Sequence, residues 1–245
     1  MTQSIWFVSD LHLSEKTPAL TQAFITFLQQ RAQDAHSIYL LGDIFDYWIG
    51  DDYHLPRYAP VIEQLQRLHQ LGIQLYFMAG NRDFLAGSAF MQASGCRMLD
   101  DPHLLLIGEQ KVLLLHGDTL CTDDVDYQRL RQQLRDASWQ HVFLAKPISA
   151  RLQIAEQLRQ HSQQATSQKN AEIMDVNQAE VERVMALHDV KLMIHGHTHR
   201  PQQHQWQLNN QQYNRIVLGD WGHTLWALQA NDHEFNLQRW QLIGD

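Results

Sequence analysis

Five short apolar runs along the chain end in the same kind of polar cluster. Ile5-Trp6-Phe7-Val8 leads into Ser9-Asp10-Leu11-His12, and Ile38-Tyr39-Leu40-Leu41 into Gly42-Asp43. Leu75-Tyr76-Phe77-Met78 leads into Ala79-Gly80-Asn81-Arg82-Asp83, and Val112-Leu113-Leu114-Leu115 into His116-Gly117-Asp118. Leu192-Met193-Ile194 leads into His195-Gly196-His197-Thr198-His199-Arg200. Continuous runs of this length, without polar alternation, predict strands buried on both faces. Between them the pattern turns helical. Thr17-Pro18 opens a predicted helix carrying Leu20, Phe24, Phe27 and Leu28, because proline suits the first helical turn. Pro60 to Leu71 predicts a second, closed by Gly72, and a shorter one lies between Asp83 and Gly95. Strand-helix-strand alternation implies an α/β architecture.

Two further stretches change that picture. Leu104–Ile107 and Lys111–Leu115 flank Gly108-Glu109, a hairpin signal. From Gln205 onward, apolar segments around Trp206, Ile216, Leu225 and Phe235 read as antiparallel strands, with Asn209-Asn210 between the first two. Two sheets with outer helices are therefore expected. Residues from about 125 to 189 interrupt the plan with helical stretches and almost no strand signal. Between Val125 and Lys169 there are seven basic residues (Arg129, Arg131, Arg135, Lys146, Arg151, Arg159, Lys169) and three acids (Asp126, Asp136, Glu156), a local +4 inside a chain of −8. This segment reads as a basic, apolar helical insertion in one domain spanning residues 1–245.

Composition narrows the function classes. The 245 residues are 44% apolar and 19% charged, which excludes a disordered chain. No apolar run approaches the roughly 18–20 residues that span a bilayer, and the first ten residues read as a strand rather than a secretory signal. Two cysteines, Cys96 and Cys121, cannot make a disulfide framework, so a reducing cytoplasm is expected. The acidic balance argues against a general nucleic-acid binder.

The polar clusters carry the chemistry. In open α/β sheets, functional groups gather beyond the carboxyl ends of the strands. Asp10 and His12, two apart in extended chain, would point the same way, as would His197 and His199. Asp43, Asn81 and His116 each follow a strand closely. Any one cluster alone is an ordinary turn; five in order supply seven oxygen and nitrogen donors. Seven are too many for one four-coordinate zinc and suit two divalent cations sharing a carboxylate, the arrangement used in phosphoryl displacement. Imidazole and carboxylate without thiolate favour manganese, iron or zinc.

Asp-Leu-His, Gly-Asp-Ile-Phe-Asp, Gly-Asn-Arg-Asp, His-Gly-Asp and Gly-His-Thr-His, spread over residues 10–199, resemble the ordered blocks of the calcineurin-like metallophosphoesterases. That resemblance implies a four-layer double β-sandwich flanked by helices. Trp48–Asp52, Gly80–Phe84, His116–Asp124, Ile173–Asn177 and His195–Pro201 narrow it to the pyrophosphatases of this family that cleave UDP-2,3-diacylglucosamine in lipid A biosynthesis. The narrower resemblance implies two Mn2+ per chain and a peripheral place on the cytoplasmic face of the inner membrane, against its lipid surface. It implies no nucleic acid and no obligate protein partner. One metal is assigned to Asp10, His12, Asp43 and His199. The second takes Asp43, Asn81, His116 and His197, with Asp43 bridging. Asp43, Asn81, Arg82 and His116 are the expected catalytic residues. Substrate contacts are expected from Asn81, Arg82, Asp124, Ser162, Lys169 and His197, and from Thr166, which stands where a relative has Asn. Arg82 replaces the His common in the wider family. A sugar phosphate leaves as an anion, so a permanent guanidinium charge helps it more than a proton would. The simpler alternative for Arg82 is an ion pair with Asp83. The insertion is expected to act as a lid, with Trp139, Phe143, Leu144 and Ile148 sheltering acyl chains and its Arg and Lys approaching phosphates or anionic lipid.

Overall fold

The computed structural model describes residues 4–168 and 175–242. Strand β1 (Ile5–Val8) lies inside the first sheet, parallel to β2 (Ser37–Leu41) on one side. Next come β3 (Gln74–Met78) and the short β4 (Arg97–Leu99), both parallel. On its other side β1 pairs antiparallel with β10 (Thr224–Ala230), which pairs with β11 (Phe235–Gln241). The second sheet runs β5 (His103–Ile107), β6 (Gln110–Leu115), β7 (Leu192–His195), β9 (Gln211–Val217), β8 (Gln202–Leu208). Strands β6, β7 and β9 are parallel, while β5–β6 and β8–β9 are the hairpins that the turn residues predict.

The continuous apolar runs follow from burial on two faces. Ile5 and Phe7 point between the sheets, onto Tyr39, Leu41, Met78, Val112, Leu114 and Ile194. Trp6 and Val8 point the other way, onto helices α1 (Pro18–Gln30) and α3 (Ala59–Gln70), whose Phe24, Phe27, Leu28, Val61, Leu65 and Leu68 form the largest core. Helix α4 (Ser88–Ser94) adds Phe90 to it. The outer face of the second sheet is covered by α8 (Gln178–Leu187), with Val181, Val184 and Met185 against Leu113, Leu115 and Met193. The result is helix, sheet, sheet, helix, the expected four layers. Three elements have no counterpart in the sequence reading: β4, only three residues long, the single-turn helix α2 (Asp51–His54) and a 3-10 turn at Asp118–Leu120.

The stretch from 125 to 189 contains no strand among the described residues. Helices α5 (Val125–Arg135), α6 (Ala137–Leu144) and α7 (Ile148–Gln168) lie over the ends of the first sheet. Helix α8 falls in the same stretch of sequence but packs on the second sheet. Of the four apolar residues expected to face a ligand, Trp139 and Phe143 point inward, stacked on each other with Trp139 beside Phe84. Leu144 and Ile148 do not; they are 40% and 38% exposed. They sit at the α6–α7 corner, with Leu144 close to Gly50, and neither lines the cavity between core and insertion. The insertion's cations also reach inward. Arg131 meets Asp118, Arg135 meets the carbonyls of Ala79 and Gly80, Arg151 meets Asp52 and the Ile49 carbonyl, and Arg159 meets Asp46.

Candidate metal centre

Backbone geometry gathers the five strand ends. Asp10 N–H donates to the Gly42 carbonyl, His12 N–H to that of Asp43, and Gly196 N–H to that of His116, at 2.8–3.0 Å. The strands end so close together that residue 42 has no room for a side chain. A Cβ there would lie 2.6 Å from Gly80 Cα and from His116 Nδ1, and its φ is +87°. Asp10, His12, Asp43, His197 and His199 all have φ between 48° and 69°. The extended conformation expected at Asp10–His12 and His197–His199 is therefore replaced by left-handed turns. Such turns cost side-chain-bearing residues free energy and concentrate at functional sites. Here they let consecutive loop residues turn back toward one point.

Asp83 braces this arrangement. It is wholly buried, and its carboxylate accepts the N–H groups of Gly80 (2.8 Å), Asp43 (3.2 Å), Ile44 (2.8 Å) and Phe45 (3.4 Å). It ties the loop after β2 to the loop after β3 and makes no ion pair with Arg82, so the simpler reading of Arg82 is set aside. The Arg82 N–H donates to Asp43 Oδ1 at 2.8 Å.

The seven expected ligands converge as follows. His12 Nε2 is 3.2 Å from His199 Nε2, which is 3.4 Å from Asp10 Oδ1. Asn81 Oδ1 lies 3.0 Å from His116 Nε2 and 2.9 Å from His197 Nδ1. His116 Nε2 is 3.8 Å from Asp43 Oδ1. Among the described residues, two groups could each grip a cation: Asp10, His12 and His199, and Asp10, Asp43 and His116. Asp10 is common to both. Its Oδ2 accepts from Ser9 Oγ (2.6 Å) and His197 N–H (2.9 Å). The first histidine of the last motif, His195, faces away. Its Nδ1 donates to the Gly196 carbonyl and its Nε2 accepts from Arg215.

The electrostatics favour a cation. Burial lowers the His116 pKa, but Asp43, Asp118 and Asp10 outweigh it and hold it at about 9. Burial, with Asp83 and Asp10, raises the Asp43 carboxyl to about 7 against the pull of His116. Burial would also raise Asp10, yet the adjacent His199 and the other surrounding imidazoles hold it well below the ordinary carboxylate range. Burial keeps His12 and His197 neutral, at about 4 each. The donor set fits divalent metal on one further observation. His116 Nδ1 donates to the Leu41 carbonyl, 2.9 Å away, which leaves Nε2, facing Asn81 Oδ1 at 3.0 Å, as the atom whose proton a cation would replace. Asp10 Oδ1 is buried with no hydrogen-bond partner. A buried carboxylate oxygen left without a partner among imidazole and amide groups is what a cation satisfies.

The expected substrate contacts divide. Arg82 and Asn81 line the near end of a cavity of about 870 Å³, counting the solvent at its mouth. It runs on between core and insertion past Trp48, Phe84, Leu134, Trp139, Phe143 and Leu158. Asp124 caps α5, its Oδ1 accepting from Tyr127 N–H at 3.1 Å. Ser162 and Thr166 belong to α7, with side chains outside the described residues, and Lys169 lies outside them altogether. Asp83, Ser9, Asp118, Tyr127 and Arg131 escaped the sequence reading as site components. Asp83 and Asp118 stood inside quoted motifs, so their place in the chain was the available signal.

A family model described as calcineurin-like phosphoesterase matches residues 3–201. The chain is 47% identical over 233 residues to the UDP-2,3-diacylglucosamine hydrolase of Pseudomonas entomophila (strain L48), covering 95% of this chain and 97% of that one. It is 52% identical over 214 residues to the enzyme of the same name from Chromohalobacter salexigens, covering 87% of each. Among solved structures, a novel archaeal phosphodiesterase aligns over 97% of this chain and 100% of that one, with 12% identity and a TM-score of 0.49. With its family blocks gathered around a divalent-metal site, the chain belongs to the calcineurin-like phosphoesterases and, within them, to the UDP-2,3-diacylglucosamine hydrolases.

Proposed function

We propose that the chain hydrolyses the pyrophosphate bond of UDP-2,3-diacylglucosamine, giving UMP and 2,3-diacylglucosamine 1-phosphate for lipid A biosynthesis. The observation that carries this reading is the apolar cavity that starts at Asn81 and Arg82 and runs beneath Trp139 and Phe143. A substrate with a charged head and two acyl chains matches a polar cluster opening into an apolar slot. Each methylene withdrawn from water contributes about 0.8 kcal/mol. The names of the close relatives support the same substrate.

Two divalent cations, manganese in this reading, would be held by Asp10, His12, Asp43 and His199 and by Asp43, Asn81, His116 and His197. When bound they would acidify the attacking water and offset charge on the phosphoryl oxygens. The chain's own groups do the rest. The Leu41 carbonyl fixes the ring of His116, and Asp83 holds the backbone of Asp43 and Gly80 in place. Arg82 neutralises the departing sugar phosphate without giving up a proton. Asp124, Ser162, Thr166 and Lys169 complete the contacts to the head group, together with Asn81 and His197. The insertion of about residues 125–189 serves as a lid, excluding water from the acyl chains.

No helix among the described residues is long and apolar enough to cross a membrane. Val142 (57% exposed), Leu144 and Ile148 flank Lys146 at the α6–α7 corner. This apolar and basic corner supports peripheral attachment to the inner-membrane surface from the cytoplasmic side.

The test is a product assay on purified protein with UDP-2,3-diacylglucosamine, with manganese added and then chelated. UMP and the lipid phosphate are expected to appear with the metal and stop with the chelator. Preference for a panel of soluble nucleotide diphosphates, or indifference to chelation, would overturn the reading.

A further inference from the structure

Three residues of α5, spaced four apart, form one face of the helix and all reach the metal centre's scaffold: Tyr127, Arg131 and Arg135. The Tyr127 ring lies over the His197 imidazole, with centroids 6.0 Å apart and planes 29° from parallel. Its hydroxyl donates to Asp118 Oδ2 at 2.7 Å, and Arg131 Nε donates to the same oxygen at 2.7 Å. Gln128 Nε2 adds a bond to the Asp118 carbonyl at 2.8 Å. One turn further, Arg135 Nη2 donates to the carbonyls of Ala79 (3.2 Å) and Gly80 (2.9 Å), just before Asn81 and Arg82. Asp118 itself is wholly buried and two residues from His116. A buried carboxylate needs cationic and hydrogen-bonded partners, and its partners here come from α5. Removing it would leave Arg131 and the Tyr127 hydroxyl without an acceptor.

We propose that Asp118 is a positioning residue for the reaction, fastening α5 through Tyr127 and Arg131 so that the wall of the cavity stays in register with His197 and Asn81. It acts on the placement of the substrate and does not itself hold metal. The first helix of the insertion is then a fixed wall of the site. This inference rests on UDP-2,3-diacylglucosamine being the substrate, because only a substrate that fills the cavity senses α5.

The experiment compares Asp118→Asn and Tyr127→Phe with the unaltered protein. It uses UDP-2,3-diacylglucosamine and, as a probe too small to fill the cavity, bis(p-nitrophenyl) phosphate. Asp118→Asn keeps the shape but not the charge. It is expected to raise KM for the lipid substrate about tenfold more than KM for the small phosphodiester. Binding of Mn2+, followed by its electron paramagnetic resonance signal, should stay within about threefold of the unaltered protein. Hydrogen exchange of the α5 amides should quicken by about tenfold or more. Tyr127→Phe, which loses only the hydroxyl, should move the same quantities less. Equal KM changes for both substrates, recovery with excess Mn2+, or unchanged α5 exchange in both variants would each overturn the proposal. If the unaltered protein cleaves only the small phosphodiester, the substrate reading fails, and α5 exchange alone then decides whether Asp118 fastens the helix.

Discussion

The loops that carry the candidate metal ligands and the helices α5 to α7 sit against each other, yet they are held by different means. The loops are held by backbone: carbonyl-to-amide bonds between neighbouring strand ends, left-handed turns, and a carboxylate, Asp83, whose acceptor atoms meet only main-chain N–H groups. The helices over the cavity, α5 to α7, are held by long cationic side chains that reach across to the core, together with an apolar contact from Trp139, Phe143, Leu152, Ile154 and Ala155. Main-chain bonds leave little freedom, which suits ligands that must meet a cation within tenths of an ångström. Arginine contacts have more freedom and depend on salt. The basic insertion on an acidic core is therefore a complementary pair, and much of its charge is already engaged within the molecule.

Changes in the loops should act most strongly. Asp10→Ala or Asp43→Ala should lower turnover by at least about a thousandfold and reduce Mn2+ binding, measured by paired product assay and metal titration. Full activity in either variant would break the comparison at its root. Asp83→Ala should destabilise the fold by about 3 kcal/mol in urea unfolding, because four buried amides lose their acceptor. A loss no larger than that of an exposed acid would show that the loops hold without their brace.

Acid should come next. His54 is buried against Trp48 with its pKa lowered to about 4 by burial, and His195 is lowered to about 3, by burial first and then by Arg215. Both fold in the neutral form, whereas in the unfolded chain they take up protons near 6.5. The unfolded state therefore binds more protons as the pH falls, and stability present above about 6.5 drains away toward about 4 for His54 and about 3 for His195. Urea midpoints across that range should fall, and His54→Gln should flatten part of the slope.

The insertion's clips should be milder. Arg151→Met removes the contacts to Asp52 and the Ile49 carbonyl, and should raise KM for the lipid substrate a few-fold, with kcat little changed. Added salt should produce a weaker version of the same shift in the unaltered protein. Smallest of all, Lys111→Ala breaks an exposed pair with Asp189 and should leave the melting temperature unchanged.

How much was legible beforehand differs between the two regions in the same way. The strands that carry the ligands announce themselves as local apolar runs, and Gly108-Glu109 and Asn209-Asn210 announce their hairpins, the latter with φ of 51° and 60°. Those signals need only neighbours in sequence. β4 escaped because three residues, two of them exposed, carry no pattern. The outward turn of Leu144 and Ile148 escaped because hydrophobicity does not say which side of a helix corner meets the core.

The chain alone determined that strand ends bearing Asp, Asn and His would be made, in what order, and between which helices, because strand and turn preferences are local. Only the tertiary structure decided that Asp83 serves the backbone rather than Arg82, that the ligand residues adopt left-handed turns, and that Arg151 and Arg159 find acids 99 and 113 residues away. The physical reason is that the partner of a polar side chain is set by whatever the folded chain brings within about 3 Å of it, and no local pattern encodes that distance.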